Sequence, residues 1–374
     1  MGDWLAPDLL FDGDTLRAGM ALWVVDGQVA AIAPALPGAR RIKGTLTPGY
    51  VDLQVNGGGG VLLNQTPTAA GMAAIAAAHR RFGTVAILPT LITDAPDVLD
   101  RAADAALAQH GKGGVAGIHI EGPHISVARR GTHAERFVRP LDARTMAVVA
   151  RLRAAGVPVM ITLAPEAVAP GQIAALVGLG AVVSLGHSDT TAAAVRAALA
   201  EGAGCFTHLF NAMSPLLHRA PGVVGAALNS AVPAGIICDG IHVADELVGL
   251  AIRARPGPDL MFLVSDAMPT VGGPDRFRLY DMDLHLENGR LVNDEGSLAG
   301  AHVTMAESVA RLIGVVGVAP LAALRMAVTI PARVMRLPLL AQVVGRPCTD
   351  ILHLDGDWRV AGTLSGLVAG QSAV

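Results

Sequence analysis

Glu121, His187, His208 and Asp266 are the residues whose types could do chemistry together. One carboxylate and two imidazoles form a ligand set suited to Zn²⁺ or a similar divalent ion, with coordination positions left open for water and substrate. A bound divalent metal lowers the pKa of its water from about 15.7 toward 7 and polarises a carbonyl, while a neighbouring carboxylate accepts the proton of the water. Asp266 is read as that carboxylate, a base that can then hand its proton to a leaving amine. Hydrolysis of an amide draws on all of these effects.

Such residues must be held by a rigid frame, and the hydrophobic pattern supplies one. Strand-like apolar runs fall at 47–55, 84–92, 115–122, 157–165, 181–187, 204–209, 234–239 and 260–266. Ala-rich stretches with helical spacing lie between them at 67–81, 95–110, 141–155, 190–201 and 244–254, often opened by Pro, Asp or Thr and closed by Gly. Alternating strands and helices imply a parallel sheet, and eight strands imply a (β/α)8 barrel. Gln54, Asn56, Glu121, His187, His208, His242 and Asp266 each sit at or just past the C-terminal end of an expected strand, which is the catalytic face of a barrel. Any one of them alone reads equally well as a loop hydrogen-bonding group; their joint placement is the signal.

Residues 5–37 carry short alternating strands with turns at Asp12-Gly13 and Asp26-Gly27, and 351–361 repeats that character around Asp355-Gly356. The expected organisation is a barrel over 48–339, flanked by a small β-sandwich that is discontinuous in sequence and built from 1–47 and 340–374.

Composition narrows the function classes. Hydrophobic residues make up 52% and aromatic residues 3% of the 374, so the core is mostly Ala, Val, Leu and Ile, the filling of parallel strands and their helices. A formal net charge of −3 gives no field for nucleic acid or an anionic membrane, so an anionic ligand needs a local site. The longest uncharged apolar stretch, 173–186, is about 14 residues with several Gly, short of the roughly 20 that a spanning helix needs. The first ten residues carry Asp3 and Asp8 and no basic segment before an apolar run, so the expected location is the cytoplasm. Cys205, Cys238 and Cys348 are widely spaced and read as buried small hydrophobes.

His79, His110 and His218 show no partner pattern and are read as structural or solvated, whereas His124 and His302 adjoin site segments and are candidates for outer hydrogen-bonding groups. The run Gly57 to Gly60 lacks a following Lys and helix cap, so it is read as a flexible loop after strand one rather than a phosphate cradle. The methionines are scattered among helices and need only fill gaps.

Short segments around these residues resemble the N-acetylglucosamine-6-phosphate deacetylase family of the amidohydrolase superfamily. They are Pro-Gly-Tyr-Val-Asp-Leu-Gln-Val-Asn-Gly at 48–57, His-Ile-Glu-Gly-Pro at 119–123, Arg-Gly-Thr-His at 130–133 and Leu-Ala-Pro-Glu at 163–166. Further along come Leu-Gly-His-Ser at 185–188, Thr-His-Leu-Phe-Asn-Ala-Met at 207–213, Asp-Gly-Ile-His at 239–242, Ser-Asp-Ala at 265–267 and Ser-Leu-Ala-Gly at 297–300. The order is the family's and the set covers most of the barrel.

The resemblance implies Glu121, His187 and His208 as metal ligands and Asp266 as general acid/base. It implies substrate contacts from Thr132, His133, Asn211, Ala212, Arg219, Asp239, Gly240, Ile241, His242, Leu298, Ala299 and Gly300. Among these, Arg219 and His242 suit a phosphate, since a guanidinium matches its oxygens bidentately and an imidazolium adds a charged donor. A homodimer is also implied, because in this family one such residue can come from a partner subunit. Many amidohydrolases carry His-x-His after strand one, but this chain has Gln54-x-Asn56, and 163–166 holds no Lys to bridge two metals. One divalent ion is therefore expected, Zn²⁺ first, with Fe²⁺, Co²⁺ or Mn²⁺ as substitutes, and Gln54 and Asn56 as positions for an ordered water or a weakly held second ion. The implied reaction removes the acetyl group of N-acetyl-D-glucosamine 6-phosphate. The alternatives are the galactosamine epimer, another amidohydrolase reaction on the same frame, and a sugar-phosphate binding protein without catalysis.

Overall fold

The computed structural model describes residues 2–293 and 298–369. Eight strands make one parallel sheet in sequence order: Tyr50–Val55, Thr84–Ile92, Ile118–Glu121, Val159–Leu163, Val182–Leu185, Cys205–Phe206, Ala234–Ile236 and Met261–Leu263. Each lies within the apolar run expected for it. The chain just past the eighth strand closes the ring onto the first: Asp266 N donates to Gln54 O at 3.0 Å, and Asn56 N and Gly57 N both donate to Ala267 O at 2.9 Å. This seam sets Asp266 directly against Gln54 and Asn56.

The covering helices follow the expected punctuation. Thr68, Asp142 and Thr191 each accept a backbone N–H at the start of Ala69–Arg80, Ala143–Ala154 and Ala192–Ala200, satisfying donors that a helix leaves unpaired. Pro96–Gln109 and Asp245–Ala254 complete the five expected helices. Six more occur among the described residues, the longest being Gln172–Gly178, Gly222–Leu228 and Met305–Gly314. The long apolar stretch is divided between Gln172–Gly178 and Val182–Leu185, and among the described residues no helix is long and apolar enough to cross a membrane.

Both terminal segments enter one mixed sheet of seven strands. Ile351–Leu354 runs antiparallel to Arg40–Pro48, which in turn runs parallel to Asp3–Phe11. Leu5, Leu22, Ile42, Leu46, Ile351 and Leu364 form its own apolar cluster, separate from the barrel core. The run expected as strand one is split at Gly49, after which Tyr50–Val55 turns into the barrel. A Cβ at Gly49 would lie 2.2 Å from Val85 Cγ1, so glycine is what lets the backbone pass between the two units.

A three-stranded antiparallel sheet, Arg276–Leu279, Met282–Glu287 and Arg290–Asn293, follows the eighth strand and is not among the expected elements. Its Leu279, Leu284 and Leu291 pack with Leu62, Ile92 and Met268, which places the small sheet beside the catalytic face. The sequence carried a signal for it. Asn288-Gly289, both at positive φ, makes the tight hairpin turn that this dipeptide favours.

Candidate active site

Glu121 ends the third strand, and His187, His208 and Asp266 follow the fifth, sixth and eighth. Glu121, His187 and His208 are buried, and Asp266 is half-buried at the edge of the cluster. His187, His208 and Asp266 also hold positive φ values of 49°, 23° and 52°, as does Ala212 at 52°. A non-glycine residue there costs about 1–3 kcal/mol, so backbone strain is concentrated where the strand ends must turn side chains inward.

The His208 Nε2 atom lies 3.1 Å from Glu121 Oε1 and 3.1 Å from His187 Nε2, and His187 Nε2 lies 3.3 Å from Glu121 Oε1. Ligand bonds of about 2.0–2.2 Å in a tetrahedron put neighbouring ligand atoms roughly 3.3–3.6 Å apart, so this triangle is close to one face of such a site. His187 Nδ1 donates to Arg129 O at 2.9 Å, which turns its Nε2 to the cluster, the atom that gives a lone pair to a cation once it has lost its proton. The donor set therefore fits a divalent cation. Burial works to raise the Glu121 pKa, but hydrogen bonds and charge from His187 and His208 hold it well below the usual carboxylate range.

His133 also brings a ring nitrogen within 4.8 Å of Glu121 and His187. The shorter triangle through His208 is the better ligand set, because His133 has a different hydrogen-bonding role. Thr93 N donates to His133 Nδ1 at 3.4 Å, and Thr93 Oγ1 lies 2.7 Å from the same nitrogen. The proton of the ring then sits on Nε2, an N–H donor rather than a lone pair. Burial, followed by the charge of His187, pushes the His133 pKa down to about 3, so the ring stays neutral.

Asp266 is held by two amides. Its Oδ1 accepts from Asn56 Nδ2 at 2.7 Å and from Gln54 Nε2 at 3.1 Å, and Gln54 Nε2 also donates to Glu121 Oε1 at 2.8 Å. Burial and then the charge of Glu121 push the Asp266 pKa up to about 6, nearer to the working range of a general base.

These groups open into a cleft of about 220 Å³, lined also by Thr132, His133, Asn211, Ala212, His242, Leu298 and Gly300, which admits a small molecule. Of the other residues singled out from the sequence, Asp239, Gly240 and Ile241 form the turn behind His242, and Ala299 is buried beside Leu298. Ser297 lies outside the described residues. Arg219 is exposed in the 215–220 loop, is not part of the cleft lining, and makes no hydrogen bond or ion pair among the described residues.

Several residues were not foreseen. Ile92, Gly131 and Met268 line the cleft, and Thr93 holds His133. His119, two residues before Glu121, donates from Nδ1 to Leu53 O at 2.9 Å and lies 2.7 Å from Thr162 Oγ1 through Nε2, forming a polar floor beneath the cluster. Its place on the same strand face as Glu121 was the available signal. His124 is fixed between Arg139 O and Thr145 Oγ1, His302 meets Thr270 Oγ1, and His79 is buried against Gly57 O. All three cysteines are buried and unpaired.

The amidohydrolase family model matches residues 45–340. The N-acetylgalactosamine-6-phosphate deacetylase of Shewanella sp. (strain ANA-3) is 41% identical over 339 residues, covering 90% of this chain and 84% of the relative. The N-acetylglucosamine-6-phosphate deacetylase of Haemophilus influenzae is 32% identical, covering 85% and 84%. A solved mutant of the N-acetyl-D-glucosamine-6-phosphate deacetylase of Mycobacterium smegmatis, in complex with N-acetyl-D-glucosamine 6-phosphate, superposes with a TM-score of 0.87 at 31% identity, covering 97% of each chain. The barrel and its buried Glu–His–His cluster thus define a hydrolase of the metal-dependent amidohydrolase class. Within it, this chain belongs to the N-acetylglucosamine-6-phosphate deacetylase family.

Proposed function

We propose that this protein hydrolyses the acetamide of an N-acetylhexosamine 6-phosphate, N-acetyl-D-glucosamine 6-phosphate in the first reading, to the free amine and acetate. The observation that carries it is the convergence of Glu121, His187 and His208 within 3.1–3.3 Å beside an aspartate oriented by two amides. Glu121, His187 and His208 would hold one divalent ion, Zn²⁺ in this reading. Bound there, it supplies carbonyl polarisation and an acidified water.

The protein's own residues do the rest. Asn56 and Gln54 occupy Asp266 Oδ1, so the other carboxylate oxygen, which makes no hydrogen bond among the described residues, is the one to take a proton from water and return it to the leaving nitrogen. His133, neutral with its proton on Nε2, donates toward oxygen where negative charge develops. Thr132, Asn211, Ala212, Leu298 and Gly300 shape the cleft around the sugar. His242, with Nδ1 held by Asp239 at 2.6 Å, offers Nε2 to the phosphate.

Arg219 completes that phosphate site from the neighbouring subunit of a homodimer. Support comes from its exposure without a polar partner among the described residues, next to Leu216 and Leu217, which are 54% and 55% exposed. The cytoplasmic location belongs to the same reading, as a sugar phosphate is an intracellular metabolite class.

A second reading is favoured by one finding: the galactosamine-specific name belongs to the 41% relative, against 32% for a glucosamine one. The two sugars differ at one hydroxyl. Acetate release from both 6-phosphates and from unphosphorylated N-acetylglucosamine tests both readings. Strong preference for the phosphorylated sugars is expected, and equal turnover with and without phosphate would remove phosphate from the assignment.

A further inference from the structure

The loop that presents His242 is braced from behind by a residue that never reaches the cleft. Gly240 has φ +71°, and a Cβ on it would lie 1.9 Å from Arg311 Nη2 and 2.3 Å from Arg311 Cζ, so the backbone of the loop rests directly on the guanidinium. Arg311 comes from the helix Met305–Gly314, whose start is fixed by reciprocal hydrogen bonds between Thr304 and Glu307. Its Nε and Nη2 each donate at 2.7 Å to the two oxygens of Asp245, the first residue of Asp245–Ala254. This two-pronged pairing fixes the plane of the guanidinium as well as its position.

On the cleft side of Gly240 the turn is equally determined. Asp239 Oδ1 accepts from Ile241 N and His242 N at 2.8 Å, and Asp239 Oδ2 accepts from His242 Nδ1 at 2.6 Å. The imidazole therefore inherits its orientation from Asp239, and Asp239 from a turn whose glycine lies against Arg311.

We infer that Arg311 is a positioning residue for His242, acting through Gly240 and Asp239 to hold the phosphate-facing edge of the ring in place before substrate arrives. The inference rests on the phosphate role proposed for His242. Holding the loop in advance removes an ordering cost from binding, so its loss is felt in KM rather than in the bond-breaking step. An ordinary surface ion pair between two helices would instead change stability slightly and leave KM alone.

The test compares Arg311→Met, Arg311→Lys and Asp245→Asn in the metal-loaded full chain. Measurements are kcat and KM on the 6-phosphorylated and unphosphorylated N-acetylhexosamine, and the imidazole resonances of His242 without substrate. In Arg311→Met and Asp245→Asn, KM for the phosphorylated sugar should rise by about threefold to a hundredfold, the upper end being what roughly 1 Å of misplacement can cost. Turnover at saturation and on the unphosphorylated sugar should stay near wild type, and the His242 signals should shift and broaden. Arg311→Lys, which keeps charge without the fork, should restore little. Adding Arg311→Met to His242→Ala should cost nothing further.

Unchanged His242 resonances in both variants, or an additive loss on top of His242→Ala, would overturn the positioning role. If Arg311→Met does not fold, Asp245→Asn carries the same test, since it keeps the guanidinium and removes the carboxylate that fixes its plane. A normal KM in His242→Ala refutes the phosphate reading instead, and is separable because the resonance test uses no substrate.

Discussion

Asp52 carries a stability cost that should appear only as the pH rises, and replacing it with Asn should remove that cost. The carboxyl lies on the first strand and is fully buried. Its Oδ1 accepts from Gln54 N and Ser265 N at 3.2 Å, and its Oδ2 is buried without a partner among the described residues. Burial first, then the charge of Asp266, outweighs the donors at Ser265 and Gln54 and pushes the pKa from 3.8 to about 7. About three units at 1.36 kcal/mol each give at most about 4 kcal/mol. The sign follows from which state holds the proton. Between about pH 4 and 7 the folded protein keeps a proton that the unfolded chain releases, so stability is greatest below the unfolded pKa and declines as pH rises through the folded one. Asn is neutral throughout. Urea denaturation of wild type and Asp52→Asn from about pH 4 to about pH 8 cancels in the difference the titrating groups that do not interact with Asp52, leaving Asp52 and its coupling to Asp266. That difference should move toward the variant by up to about 4 kcal/mol, mostly below pH 7. A difference that stays constant across the range would refute the reasoning.

Other perturbations probe separate parts of the account. Asp266→Asn should retain fold and metal while kcat falls by roughly 10²-fold to 10⁴-fold, measured as acetate release; near-normal turnover would exclude it as the base. His208→Ala should lower bound metal well below one ion per chain by elemental analysis, since it removes one corner of the short triangle; undiminished metal content would point to His133 as the third ligand. Gly49→Val should destabilise the protein by about 1–3 kcal/mol in denaturation, because Val85 already fills the space a Cβ needs; a neutral result would show that the crossing between the two units adapts freely.

The eight barrel strands were legible because each is a buried apolar run bounded by turn residues, and Thr84–Ile92 has the same limits in sequence and structure. The cluster was legible for a related reason: a polar side chain at the end of such a run has only the cleft to face. What the sequence did not reveal depends on distances across the barrel. Gln54 joins Glu121 to Asp266 only because the eighth strand closes onto the first. The proton position on His133 depends on Thr93, forty residues away. Arg311 reaches Gly240 from a helix seventy-one residues further on, and nothing in the local pattern of that helix distinguishes it from a surface cation. The hairpin over 276–293 is marked by Asn288-Gly289 alone, because its strands are short and only partly buried and so lack a continuous apolar run.

The central claim is that Glu121, His187 and His208 make one metal site on which amide hydrolysis of a phosphorylated amino sugar depends. Its most direct test is to strip the protein of metal, add Zn²⁺ in steps, and record acetate release from N-acetyl-D-glucosamine 6-phosphate and its galactosamine epimer at each step. The account predicts no turnover without metal and activity that rises to a plateau at one ion per chain on at least one of the two sugars. Full turnover by the metal-free protein, or no acetate from either sugar at any metal loading, would contradict it.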